Sequence, residues 1–216
     1  MIGASLEAER IVHLIRQRPD PVPILGLLSL DPAIEKVGRP VAGLSVLDTL
    51  ENLGRYRDRI IGAVPAAADA ADRESILAAL EREGIPALPL VHPQACTGHG
   101  VQVWPGAVVH ALAILDVGVR IGRGAVIGAG AILGAHTRVG DYVEVSAGAI
   151  AGSNVRIGER SRLGIGCRII DGVLIGPEAS IGPGALVTED VPGGTSVQAA
   201  SATSVERARH PEADPA

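Results

Sequence analysis

From Val91 to Pro192 a branched aliphatic residue returns at every sixth position. Val91, Val103, Val109, Leu115, Ile121, Ile127, Leu133, Val139 and Val145 open successive hexads, as do Ile157, Leu163, Ile169, Ile175, Ile181 and Val187. Thr97 and Ala151 are the exceptions in a run of seventeen hexads read without insertion or slip. The fifth place holds only small or β-branched residues, among them Ala107, Val119, Ala125, Thr137, Cys167 and Ala185, and glycine is frequent at the second and fourth places. A period of six cannot hold one face of a 3.6-residue helical turn, so an amphipathic helix is excluded. A fixed short period is instead the mark of a β-helix. Branched residues suit extended backbone, and glycine permits a bend every six residues. Three such sides close a triangular coil, whose first-place aliphatics stack inside about 4.8 Å apart.

The first ninety residues follow another pattern. Ser5 to Arg18 reads as a helix, with Ser5 as a cap, Glu7 in the first turn and Ile11, Val12, Leu14 and Ile15 on one face. Pro21 and Pro23 end it. Pro23–Leu28 and Val41–Leu47 read as strands, Val46–Leu53 as a short helix and Ile60–Val64 as a further strand. A second helix is expected from Asp72 to Glu83, with Gly84 as its stop. This alternation implies a small α/β domain with a parallel sheet over residues 1–90. The β-helix covers residues 91–192, and 193–216 form a C-terminal extension. Its charged, alanine- and proline-rich end from Glu206 is expected to be disordered.

Composition narrows the function. The chain has 216 residues, a net charge of −5, no phenylalanine, one tryptophan and two tyrosines, so it offers neither a basic surface nor stacking platforms for nucleic acid. Cys96 and Cys167 lie far apart in the repeat, and Cys167 at a fifth place should point inward as a reduced thiol. No eighteen-residue apolar run and no leader pattern is present, which gives the expectation of a soluble, cytoplasmic protein.

The hexads, of the form [LIV]-G-x-x-[small]-x, resemble those of the hexapeptide-repeat acyltransferases. The order of an α/β domain and then seventeen hexads narrows the likeness. So do Ile2-Gly3-Ala4, Asp31-Pro32, the GLSVL segment from Gly43, Val91-His92-Pro93, Val139-Gly140-Asp141-Tyr142 and the closing VTEDVP. Over roughly residues 2 to 205 the chain resembles the sialic acid O-acetyltransferase and nucleotide-sugar N-acetyltransferase family. That resemblance implies an abbreviated Rossmann-like domain followed by a left-handed parallel β-helix. It also implies a homotrimer, acetyl-CoA as co-substrate, no metal, and acetylation of a sugar amine or hydroxyl in glycan biosynthesis.

The resemblance also says where chemistry should sit. In the family a histidine with an acidic neighbour deprotonates the acceptor, a task suited to a group with a pKa near working pH. The matching positions here read Gly134-Ala135-His136-Thr137, so the base position is Ala135 and the candidate base, His136, stands one residue late. Its column neighbours, Gly118 and Asn154, carry no charge. His92 and His110, eighteen apart, stack on one face but lack a third metal ligand in register. For acetyl-CoA the resemblance points to Ile165, with Gly148, Gly166, Gly184 and Ala185 keeping the bends shallow. Glu144 stands where the family often has histidine, and Arg207 and Arg209 are candidate phosphate contacts. For the sugar nucleotide it points to Gly3, Ser5 and Gly43. The family's glycine-rich turn is reduced here to Gly3-Ala4-Ser5-Leu6-Glu7, and Glu7 at a helix N-terminus would repel a phosphate. Two other readings therefore stand beside the sugar acetyltransferase: a catalytically impaired trimeric scaffold, and an acetyltransferase for an acceptor without a nucleotide.

Overall fold

The computed structural model describes residues 1–3, 6–31, 38 and 40–199. Ser5, Pro32, Arg207, Arg209 and the tail from Glu206 lie outside the described residues.

The N-terminal part is built on parallel extended segments. Helix α1 (Leu6–Arg16) buries Ala8, Ile11, Leu14 and Ile15 against Leu27 and Val46. Strand β1 (Leu27–Ser29) pairs in parallel with β3 (Leu44–Thr49) on one side and with Ile2 on the other. Ile2 in turn pairs with Pro65, and Ala63 with Ala87. The spatial order is therefore 44–49, 27–29, Ile2, 63–65, 87, with all neighbours parallel. Strand β2 (Pro40–Val41) adds an antiparallel hairpin to β3.

Several expected boundaries move. Pairing begins only at Leu27, since Pro21 and Pro23 have no N–H to give to a ladder. The expected strand Val41–Leu47 is a hairpin turned at Ala42-Gly43, which hold φ of 51° and 75°. The expected helix Val46–Leu53 does not form. Val46 stays in β3, fully buried, and a 3₁₀ helix follows at Leu50–Arg59. Asp48 marks the switch, accepting from Thr49 N at 2.8 Å and Asn52 Nδ2 at 2.7 Å. Of the Ile60–Val64 strand only single bridges remain, at Ala63 and just beyond it at Pro65. Helix α2 (Ala70–Arg82) is longer than expected because Asp69 caps it, accepting from Ala71 N at 2.8 Å. Gly84, at φ 65°, ends it.

From β4 (Leu90–Val91) onward every hexad supplies a two-residue strand. These stack into three parallel sheets of seven, six and five strands, an arrangement that fits a left-handed parallel β-helix. Register is eighteen residues throughout the coils, as in Val126↔Val108 and Val126↔Glu144. First- and fifth-place residues fill one continuous core. The seventeenth hexad departs from the expected unbroken step. Ile175 pairs with Val191, sixteen residues on, and Ser180 pairs with Ser196. The chain thus cuts the last corner two residues short, and the coil continues past Pro192 into strand β21 (Ser196–Val197).

Glycine serves two separate purposes in the hexad. Fourth-place residues sit at positive φ, as Gly166 does at 64° with nothing within 4 Å of where a Cβ would project. At the second place, φ is not positive but space is absent. A Cβ on Gly158 would overlap the Pro177 backbone of the next coil.

The prism has three corners, and the N-terminal part covers two. Along one, Gly106, Gly124, Tyr142 and Arg160 meet α2. Leu77 lies where Cβ atoms on Gly106 and Gly124 would project, and Glu74 holds Arg160 at 2.7 Å. A second lies under α1. The third carries Gly118, His136 and Asn154.

Candidate active site

Where α1 bridges the second corner it leaves a cleft of about 740 Å³. The floor is a column of third-place residues, Ala111, Ala129 and Ala147, that ends at the exposed Ile165. The small side chains of the alanines keep the groove open. The roof is the polar stripe of α1, namely Glu7, Arg10 and His13, continued in the turn after it by Gln17. Spacings of three and four place these on one helical face, opposite the residues buried against the sheet.

The two sides are joined by one acid–imidazole pair. His110 Nε2 lies 3.2 Å from Glu7 Oε1, and both side chains are largely buried. Arg10 Nη1 donates to the other carboxylate oxygen at 3.3 Å. Burial pushes the Glu7 carboxyl up, but the hydrogen bond and charge of His110, with those of Arg10, outweigh it and hold the group below the usual carboxylate range. An ionised carboxylate only accepts, so His110 Nε2 carries the hydrogen of this bond. Glu7 is thus engaged by its neighbours and does not present the free repulsive charge expected at a helix N-terminus.

His92 stacks one coil from His110 and is buried. Its Nδ1 accepts from Gln94 N at 3.1 Å. Burial lowers its pKa, and the neighbouring His110 and His13 add to this, which favours the neutral imidazole that accepts from Gln94. Further along the cleft Glu144 Oε2 pairs with Arg162 Nε at 3.2 Å. At the back Arg73, wholly buried, donates to the carbonyls of Gly124 at 2.7 Å, Tyr142 at 2.9 Å, Ala67 and Ala68. Among the described residues no three histidine, cysteine or acidic groups converge as metal ligands, and no helix is long and apolar enough to cross a membrane.

The residues singled out from sequence are not all brought together. Ile165 lines the cleft, and Gly148, Gly166 and Gly184 follow on the same corner with open space above them. Ala185 offers a ligand nothing. Its side chain packs in the core, its N–H bonds Gly182 O, and its carbonyl accepts from Arg168. Gly3 is buried at φ 126°, where a Cβ would overlap the Ala66 carbonyl, so close approach of two strands explains it. Gly43 serves the β2–β3 turn. His136 is exposed at φ 60° on the third corner, with its ring over Gly118. Within one chain that corner is remote from the cleft. Glu7 and His110 are the pair that sequence reasoning missed. They are 103 residues apart, and the only local hint was the shared eighteen-residue column of His92 and His110.

Residues 154–189 match the bacterial transferase hexapeptide family, described as six repeats. Across 92% of this chain and 91% of the other, the structure superimposes on a mutant perosamine N-acetyltransferase from Caulobacter crescentus, in complex with CoA and GDP-perosamine. The TM-score is 0.85 and the identity 25%. The chain carries hexapeptide repeats and has the fold of this enzyme. The acetyltransferase domain of PglB from Neisseria gonorrhoeae FA1090 gives a TM-score of 0.83 at 24% identity, covering 92% of this chain and 94% of that one. WeeI from Acinetobacter baumannii AYE gives 0.81 at 23%, with the same coverage. No curated protein sequence matches the chain.

Proposed function

We propose that this hexapeptide-repeat protein transfers an acetyl group from acetyl-CoA to an amine or hydroxyl of a sugar in glycan biosynthesis. The observation that carries the reading is the likeness, over nearly the whole chain, to an enzyme held in complex with both CoA and a nucleotide sugar. Both parts of the chain are needed for that likeness, and the cleft lies where they meet.

Residues 1–90 act as an abbreviated Rossmann-like acceptor domain. The parallel order 44–49, 27–29, Ile2, 63–65, 87 supports this, because such sheets bind ligands beyond their strand ends at the point where the order reverses. Residues 91–192, with the coil continued through Ser196–Val197, form the left-handed β-helix that carries the donor. Ile165, Gly148, Gly166 and Gly184 line the donor groove of a homotrimer acting in the cytoplasm. Across a subunit seam His136 can approach a cleft that it cannot reach within its own chain.

One observation favours a catalytically silent scaffold: among the described residues His136 has no hydrogen bond or ion pair to an acid. The two readings separate on thioester turnover. The protein is incubated with acetyl-CoA and a panel of amino sugars and their nucleotide conjugates while free thiol is followed, and acetyl-CoA binding is measured by calorimetry. Thiol release with at least one acceptor is expected. No turnover with any acceptor and no acetyl-CoA binding would overturn the transferase.

A further inference from the structure

We propose that His110, oriented by Glu7, is the general base of this cleft, taking the part for which the chain has only Ala135 at the position its resemblance indicates. This rests on the acyltransferase reading above. Three features of the geometry carry it.

The first is orientation. Glu7, fixed from its other oxygen by Arg10, holds the imidazole through Nε2 at 3.2 Å. Nδ1 is left with the lone pair, as a base requires, and the carboxylate stabilises the imidazolium that forms. The second is location. The pair stands in the wall of the cleft that also contains Ile165 and the alanine column, whereas His136 stands on another corner of its own chain and, among the described residues, has no hydrogen bond or ion pair to an acid. The third is the surrounding charge. Arg10, His13, Arg73, His92 and Glu144 share the cleft with the pair. Arg73 gives four hydrogen bonds to carbonyls and Glu144 is paired with Arg162, so both are engaged elsewhere than at His110.

In the reaction His110 Nδ1 accepts the proton of the acceptor N–H or O–H. The freed lone pair forms the new bond to the thioester carbonyl carbon, the C–S bond breaks, and the imidazolium returns its proton to the departing CoA sulfur. Protons and electron pairs balance without any further reactant.

Two measurements test the assignment. In the full-length protein, ¹⁵N NMR of the imidazoles is expected to show His110 as the Nε2–H tautomer, a state that Glu7→Gln perturbs. In steady-state turnover with the acceptor that the wild type uses, His110→Ala is expected to lower kcat about 100-fold or more. Its acetyl-CoA affinity should stay near wild type, while loss of the bond to Glu7 lowers the melting temperature modestly. Glu7→Gln should reduce kcat less and move the acidic limb of the pH–rate profile. An Nδ1–H tautomer at His110, or a His110→Ala rate within threefold of wild type, overturns the proposal. So does a fall in rate matched by equal losses of stability and acetyl-CoA binding, which would make the pair a structural latch. Wild-type turnover with any of these results sinks the base alone. Absence of wild-type turnover sinks the transferase itself.

Discussion

Arg73 Nε donates to the carbonyl of Gly124 at 2.7 Å, and the same guanidinium reaches the Tyr142 carbonyl one coil further on. A side chain from α2 thereby closes two coils of the β-helix against the N-terminal part. With Glu74–Arg160 and the Arg160–Tyr142 ring contact at 6.0 Å it fixes α2 over its corner of the β-helix, at the back of the cleft.

Replacing Arg73 by methionine keeps much of its volume but leaves four carbonyls without their donor. Buried acceptors so orphaned cost about 1–3 kcal/mol each before relaxation, so a net loss of about 3 kcal/mol is expected. Urea denaturation of Arg73→Met against wild type checks this. Glu81→Ala, which removes only an exposed partner of Arg123, should change stability by less than about 1 kcal/mol.

The two kinds of glycine should respond differently to alanine. At Gly166 there is room, and the cost is left-handed backbone alone, about 1–2 kcal/mol. At Gly158 the new Cβ meets the backbone of the next coil, and overpacking should cost about 1–3 kcal/mol with displacement of that coil. The converse applies at Leu112, exposed at φ 61°. Leu112→Gly should raise stability by up to about 1 kcal/mol. Thermal melts of the three variants give the ranking.

Acid should loosen the cleft in two stages. The pKa of His92 is depressed in the fold, so its contribution is present above its ordinary value of 6.5 and is lost as pH falls through the lower folded value. Protonating Nδ1 also removes the bond from Gln94 N. Glu7 is depressed as well, so its contribution is present above 4.5 and disappears at still lower pH. Melting temperature is expected to decline first below about pH 6.5. His92→Gln should abolish that first decline and leave the second.

The cysteines should differ in reactivity. Cys167 is wholly buried, and burial pushes its thiol pKa up to about 11, whereas Cys96 is exposed. Ellman's reagent at neutral pH should therefore count one thiol in the native protein and two in denaturant. Two fast thiols in the native state would contradict the inward fifth place.

The β-helix was legible in the chain because each hexad repeats one local solution. Val109, Ile127 and Val145 reveal their common column through spacing alone, and Cys167 could be placed inside by its register. The two-residue shortening before Val191 was not legible, since VTEDVP keeps the hexad composition while Ile175 selects the partner. In the N-terminal part, helices with a clear apolar face were readable, but Val46 was claimed by two elements and tertiary burial decided for the strand. The site was the least legible. Ile165 came from register and resemblance, whereas Glu7 and His110 meet only because α1 folds over one particular corner. No local pattern encodes a contact across that distance in the chain. Gly3 and Gly43 drew attention as ligand contacts for the same reason that they are structurally needed: both occupy backbone conformations that favour glycine.

The account depends most on the cleft under α1 being where the thioester donor lies. A crystal structure of the protein grown with CoA tests it directly. The pantetheine arm is expected along Ala111, Ala129, Ala147 and Ile165, with its sulfur on the side of Glu7 and His110. CoA bound at the His136 corner with the cleft of every copy empty would contradict it.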